Sequence, residues 1–476
     1  MRYVATIQII LFKLGWIKVQ GINKRKGVTM LTILSYAMII VFMYVILTKK
    51  MTPFTSLIIV PLIFAIIAKL TGVSAEGNIG EWIMEGLATT SNTGIMLLFA
   101  ILFFAIMLDA GLFDPITERM IRFAKGDPMK VLIATAVVAA AVSLNGDGTT
   151  TTLICVSAFL PIYKRLNMRI MNLGVLIIMQ NTIMNLLPWG GPTARAMAVM
   201  NVDADILAYL MPGMVLSILY VIFIVARYMG RKERERLGIV EFTEEEIAEL
   251  VTITDPEVEA IRRPQNWLFN AILTVGLIAW LITGSFVDAV SVPPLVLFMV
   301  GTVLALMVNY PNLKDQGTRI AENAGDAVSV VILVFAAGAF MGLFQGSGMA
   351  DAMAQSFVTI IPDALGGFWG IIVALISAPG TFFISNDGFY FGILPPLAEV
   401  GFSYGFTNME MALASLMGQA FHLLSPLVAF IYLLLRLLDL DMGEWQKESG
   451  KWLLGVFIIF IVTIVLTGNL RVFIPQ

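Results

Sequence analysis

The stretch SLNGDGTTTT, residues 143–152, gathers an amide (Asn145), a carboxylate (Asp147) and four consecutive hydroxyls, Thr149 to Thr152. It sits between two apolar runs. A second stretch, SNDGF at 385–389, repeats the theme with Ser385, Asn386 and Asp387. A carboxylate placed centrally in a membrane costs several kcal/mol and marks a functional site by default. The chemistry open to Asp147 and Asp387 is binding a cation or carrying a proton. The plainer role is capping the helix that follows. A third stretch, NLLPWGGPTARA at 185–196, breaks a helix with Pro188, Gly190, Gly191 and Pro192. A half-helix starting near Thr193 points its free amides at an anion. Arg195, one turn in, has the fork that grips a carboxylate. Its plainer roles are an ion pair with Asp203 or Asp205, or snorkelling outward. Ser425-Pro426 is the corresponding break later in the chain. His422, the single histidine, titrates near neutral pH and suits proton coupling, or else is a hydrogen-bonded core residue. One histidine and one cysteine, Cys155, exclude a multi-histidine centre, an internal disulfide and a multi-cysteine metal site.

These residues need elements to hold them, and composition says what kind. The 476 residues are 58% hydrophobic and 13% charged, with a mean hydropathy of +0.88. Apolar runs long enough to cross a bilayer recur throughout. The fold class is an all-α polytopic membrane protein. Spans are expected at 30–48, 53–70, 93–113, 170–200, 206–228, 267–284, 290–309, 327–345, 408–438 and 451–470, ten in all. Paired segments at 128–165 and 368–400 are expected to be re-entrant hairpins with the two aspartate stretches at their tips; two full spans joined by an external loop, with a solvated polar tip, would fit the charges equally well. Non-helical backbone inside a membrane is tolerated where it lines a cavity or is buried in protein. A charged linker, 230–266, joins the halves. Residues 1–29 carry six of the 30 Lys/Arg without a signal-peptide pattern. RKGVTM also translates back to a ribosome-binding sequence ahead of Met30, so translation is expected to start there, the alternative being an interfacial helix over 1–29.

The halves, 30–229 and 267–476, correspond at an offset of 237, which carries the start of each half, Glu85 to Glu322, and Asn185 to His422. Asp147 reaches Asp387 with a shift of three more. Each half has five spans plus a hairpin, an odd number of crossings, so the halves are expected to be inverted. With Met30 outside, 21 of the 24 Lys/Arg from Met30 onward fall inside; Lys69 and Arg471 lie outside and Arg195 within a span. The linker is then cytoplasmic. Inverted repeats with interrupted helices point to a secondary transporter with a mid-membrane site. No GxxxxGK[ST] stretch supports ATP-driven transport. An intramembrane aspartyl enzyme is the remote alternative, and a Gly-x-Gly-Asp context is lacking; a channel is another.

Several long stretches carry a family likeness: the run from Met30 to Ile67, SLNGDGTTTTLICVSAFLPIYKRLNM, NLLPWGGPTARAM and FFISNDGFYFGILPPLAE. Together they resemble the citrate–metal:proton symporter family, over nearly all of the chain from Met30. The resemblance implies import of citrate complexed with Mg²⁺ or Ca²⁺, driven by protons, across the cell's inner membrane. The metal is then part of the cargo and no cofactor is resident. It implies a homodimer among lipids, with a scaffold and a moving transport domain, and no nucleic-acid partner. In the related Na⁺-coupled dicarboxylate carriers the hairpin tips carry Ser-Asn-Thr. Asn145, Asn386 and Ser385 match that motif, but Asp387 replaces the threonine, and in the first copy Gly146 leads to Asp147. This departure speaks against Na⁺ coupling and assigns the aspartates to metal or proton. The likeness assigns Asn145, Thr149, Ser385 and Asn386 to citrate, with Arg195, Gly190, Gly191 and Thr193 beside them. The alternative is a free di- or tricarboxylate transporter coupled to Na⁺ or H⁺.

Overall fold

The computed structural model describes residues 29–240, 242–243, 245–246, 256–360 and 363–475. The expected extension, apart from Thr29, and the middle of the linker lie outside the described residues. Among these residues every regular element is helical. The first half runs α1 (Thr29–Leu47), α2 (Pro53–Leu70), α3 (Ile79–Asp109), α4 (Asp114–Ala124), α5 (Pro128–Val142), α6 (Gly148–Arg165), α7 (Ile170–Met184), α8 (Gly191–Met200) and α9 (Ile206–Leu237). The second runs α10 (Trp267–Gly284), α11 (Pro294–Asn309), α12 (Leu313–Gly346), α13 (Met349–Ile360), α14 (Trp369–Phe383), α15 (Leu394–Ser403), α16 (Asn408–Leu416), α17 (Gln419–His422), α18 (Ala429–Leu438) and α19 (Met442–Leu466). Each half presents two helices, one very long helix, a short connecting helix, a helical pair joined by a polar tip, a broken helix and a closing helix.

Eight described helices are long and apolar enough to cross a membrane, and α7, α11, α14 and α18 are shorter apolar helices. The expected ten spans differ from this in three ways, the first being that the expected span 290–309 is only the shorter helix α11. One of the eight, Pro128–Asn145, is an arm of the first pair. The expected spans 170–200 and 408–438 are each split by their proline break, leaving only short helices. The expected spans 93–113 and 327–345 also prove to be pieces of much longer helices. α3 opens at Ile79, where Asn78 and Glu81 form a reciprocal capping box. At 31 residues it is about 46 Å long, more than a bilayer core is thick.

α3 and α12 form the spine of the fold, flanked by α2 and α11. Their polar early turns were invisible to a scan for apolar runs because small residues, not oily ones, make the contact. The backbones at Gly86 and Gly338 approach so closely that a Cβ on either would collide with the other's carbonyl, and Gly342 sits as tightly on Trp82. This is small-residue helix packing, which works in lipid because it needs no difference in apolarity. The remaining helices gather around the tips, with α5 against α7, α9 against α19, and α14 against α16 and α17.

Each hairpin is fastened at its base by the end of the closing helix of its own half or by the chain just beyond it. Arg234 pairs with buried Asp127, which also caps α5 by accepting from Met129 N. Arg471 pairs with buried Glu410, the capping-box residue of α16, and Ile474 N donates to Gly367 O ahead of α14. The two arginines are one repeat offset apart.

Candidate substrate site

The two tips are built from similar residues and folded differently. In the first, α5 ends in a turn of 3₁₀ helix, Ser143–Asn145, and Gly146 takes φ +78°, a left-handed position suited to glycine. Asp147 then caps α6. Its carboxylate accepts from Thr149 N at 3.3 Å and Thr150 N at 2.6 Å, and Asn145 Oδ1 accepts from Asp147 N at 2.8 Å. Asp147 and Thr149 are exposed, and Asn145 is half-buried.

In the second tip Ser385 accepts from Gly388 N at 3.2 Å. Asp387 is already helical and makes no cap. Its carboxylate is free to leave the tip, and Oδ1 accepts from Arg195 Nε on α8 at 2.7 Å. A six-residue π-helical stretch, Gly388–Ile393, follows and packs on α8. The capping role foreseen for both aspartates therefore holds for Asp147 alone. The partners foreseen for Arg195, Asp203 and Asp205, are replaced by Asp387, 192 residues away. The pair keeps 17% and 19% side-chain exposure, so a ligand can reach it.

The break after α7 is closed internally. α8 begins at Gly191 rather than near Thr193. Thr193 is fully buried and donates to Leu186 O at 3.0 Å, which takes it out of the expected substrate set in this conformation. Gly190 has no room for a Cβ beside Asn185 O. Gly191 O accepts from Arg195 Nη1 at 2.8 Å, fixing the guanidinium at the start of α8. Trp189 donates to Leu144 O at 2.7 Å and so locks this break to the first tip. The second break reaches the same tip, with Phe430 lying over Gly148.

His422 is buried. Its Nδ1 donates to Thr381 O at 2.7 Å, since a carbonyl only accepts. Two residues absent from the expected set prove central. Gln419 Nε2 donates to Asn386 Oδ1 at 2.9 Å and to Tyr390 OH at 3.0 Å. Asn181 Nδ2 reaches Ser143 Oγ at 3.4 Å and Thr151 Oγ1 at 3.5 Å. Each is a buried amide seven residues before the proline of its break, and that spacing was the available signal. The structure thus joins Arg195, Asp387, Asn386 and, through Thr381 and the second tip, His422. It sets Asn145, Asp147 and Thr149 on the other tip. Among the described residues no group of three or more His, Cys, Asp or Glu side chains is arranged to hold a metal. A cavity of about 480 Å³ lies apart from both tips, where α3 meets the end of α8 and the start of α11.

Residues 28–418 match the model of the CitMHS family, described as citrate transporter. The chain belongs to this citrate transporter family. This transporter is 45% identical over 441 residues to a Bacillus subtilis (strain 168) protein named citrate transporter, covering 92% of this chain and 99% of that one. It is 38% identical over 444 residues to the Mg(2+)/citrate complex secondary transporter of the same organism, covering 93% and 100%. Two solved transporters share its fold. They are YdaH of Alcanivorax borkumensis (TM-score 0.50, 15% identity, 80% of this chain and 87% of that one) and MtrF of Neisseria gonorrhoeae (TM-score 0.54, 13%, 80% and 82%). The protein is a multi-pass membrane transporter for citrate and not an enzyme.

Proposed function

We propose that this citrate transporter is a proton-driven symporter whose cargo is citrate complexed with a divalent metal of the Mg²⁺ or Ca²⁺ type. The observation that carries the reading is the Arg195–Asp387 pair, which spans the helix break of one half and the hairpin tip of the other. Asp387 satisfies Arg195 through its carboxylate. An arriving citrate carboxylate takes over the guanidinium, helped by the amides at the start of α8. Asp387 is then released to meet the metal or the proton. Ser385 and Asn386 hold citrate from the second tip, and Asn145 and Thr149 from the first. Gln419 keeps Asn386 in place, and His422 stands by as a second proton group.

A metal carried as cargo brings citrate's own carboxylates as ligands, so one or two protein carboxylates suffice. The complex has less negative charge than the free trianion, which lowers the cost of crossing a low-dielectric site. The like order of elements in the two halves fits inverted repeats with two re-entrant hairpins that shift as a body against α3 and α12, in a homodimer. The relative named for the Mg(2+)/citrate complex supports the cargo. Uptake of labelled citrate into proteoliposomes, with Mg²⁺ or Ca²⁺ and with a chelator, tests it. Metal-dependent uptake is expected, and uptake persisting fully under chelation would show free citrate to be the cargo.

A further inference from the structure

The cavity of about 480 Å³ between α3, the end of α8 and the start of α11 is lined by Asn92, Thr93, Met197, Asp203, Ser291 and Pro293, among others. Three observations define its chemistry. Among the described residues its one ionisable lining group is the Asp203 carboxylate, and no lysine or arginine lines it. Asp205, two residues along, has its carboxyl pushed upward by burial and by the Asp203 charge, which places a second carboxyl group beside the first. Finally, the two loops that meet in it, 201–205 and 285–293, are the ones that the lysine and arginine distribution puts on the outer side. Among the described residues that side carries only Lys69 and Arg471. Both are engaged, Lys69 over Trp82 and Arg471 with Glu410. Neither stands free to attract a tricarboxylate. Met197 brings the cavity to within two residues of Arg195 along α8.

We propose that this cavity is an outer anteroom in which Asp203 repels the free tricarboxylate and admits the metal–tricarboxylate complex. The inference rests on the metal-complex reading above. Free citrate carries about three negative charges and its divalent complex about one, so repulsion by a fixed carboxylate grows about threefold on losing the metal. Asn92, Thr93 and Ser291 offer amide and hydroxyl groups to the hydrated complex, without a charge that would hold it.

The test compares initial rates of labelled citrate uptake with excess Mg²⁺ and with a chelator, in wild type, Asp203→Asn and Asp203→Glu. The metal-free to metal-loaded ratio of kcat/KM is expected to rise about three- to tenfold in Asp203→Asn, with metal-loaded KM changing less than twofold. Asp203→Glu is expected to keep the wild-type ratio. The gain in Asp203→Asn should shrink at high ionic strength, as a charge effect on a water-filled approach must. An unchanged ratio in Asp203→Asn with normal metal-loaded uptake overturns the anteroom and leaves the metal-complex reading intact. Loss of metal-loaded uptake in Asp203→Asn also overturns it, since Asp203 would then hold the cargo or the fold. Metal-independent uptake by the wild type overturns the metal-complex reading itself.

Discussion

The first hairpin tip turns its aspartate inward on its own backbone, and the second sends its aspartate out to another helix. Both tips have an asparagine, an aspartate and a glycine in a short turn, yet one residue of spacing separates their roles. In SLNGDG the extra Gly146 delays the helix, so Asp147 lands on the cap. In SNDG the serine is the cap and Asp387 is inside the helix, facing Arg195. Similar residues in equivalent turns need not do the same job. The backbone position decides whether a carboxylate is consumed locally or available to a partner.

Three substitutions at two positions sharpen this contrast. Arg195→Ala is expected to have the largest effect, lowering citrate uptake by 100-fold or more. It removes the carboxylate fork and leaves Asp387 unpaired. Initial rates at equal protein density check this, and uptake within tenfold of wild type would count against a ligand role. Asp147→Ala is expected to show mainly as stability, a loss of about 1 kcal/mol from the missing cap, with Asp147→Asn close to wild type because asparagine caps as well. Thermal unfolding in detergent reads that difference, and equal losses in the two variants would deny the capping role.

Much of this was legible in sequence, for a physical reason. Glycine, proline and polar residues are conspicuous in apolar helices, so both tips, both breaks and the order of the halves could be located from SLNGDGTTTT, SNDGF, NLLPWGGP and Ser425-Pro426. The lengths of α3 and α12 were not legible, because Gly86, Gly338 and Gly342 pack by closeness rather than by oiliness. The partner of Arg195 was not legible either. Pairing across 192 residues depends on how the halves fold together, and the nearby Asp203 and Asp205 were nearer in sequence only. Asn181 and Gln419 escaped notice because a lone amide in a helix carries no pattern until the proline spacing is compared across the repeats.

The most direct test of the account is labelled citrate uptake by Asp147→Asn and Asp387→Asn proteoliposomes, measured side by side across metal concentration and pH. The account predicts that Asp387→Asn loses at least 100-fold, or loses its metal or pH dependence. It predicts that Asp147→Asn keeps at least a tenth of wild-type uptake with both dependences intact. Normal transport by Asp387→Asn with unchanged metal and pH profiles, or a greater loss in Asp147→Asn, would contradict it.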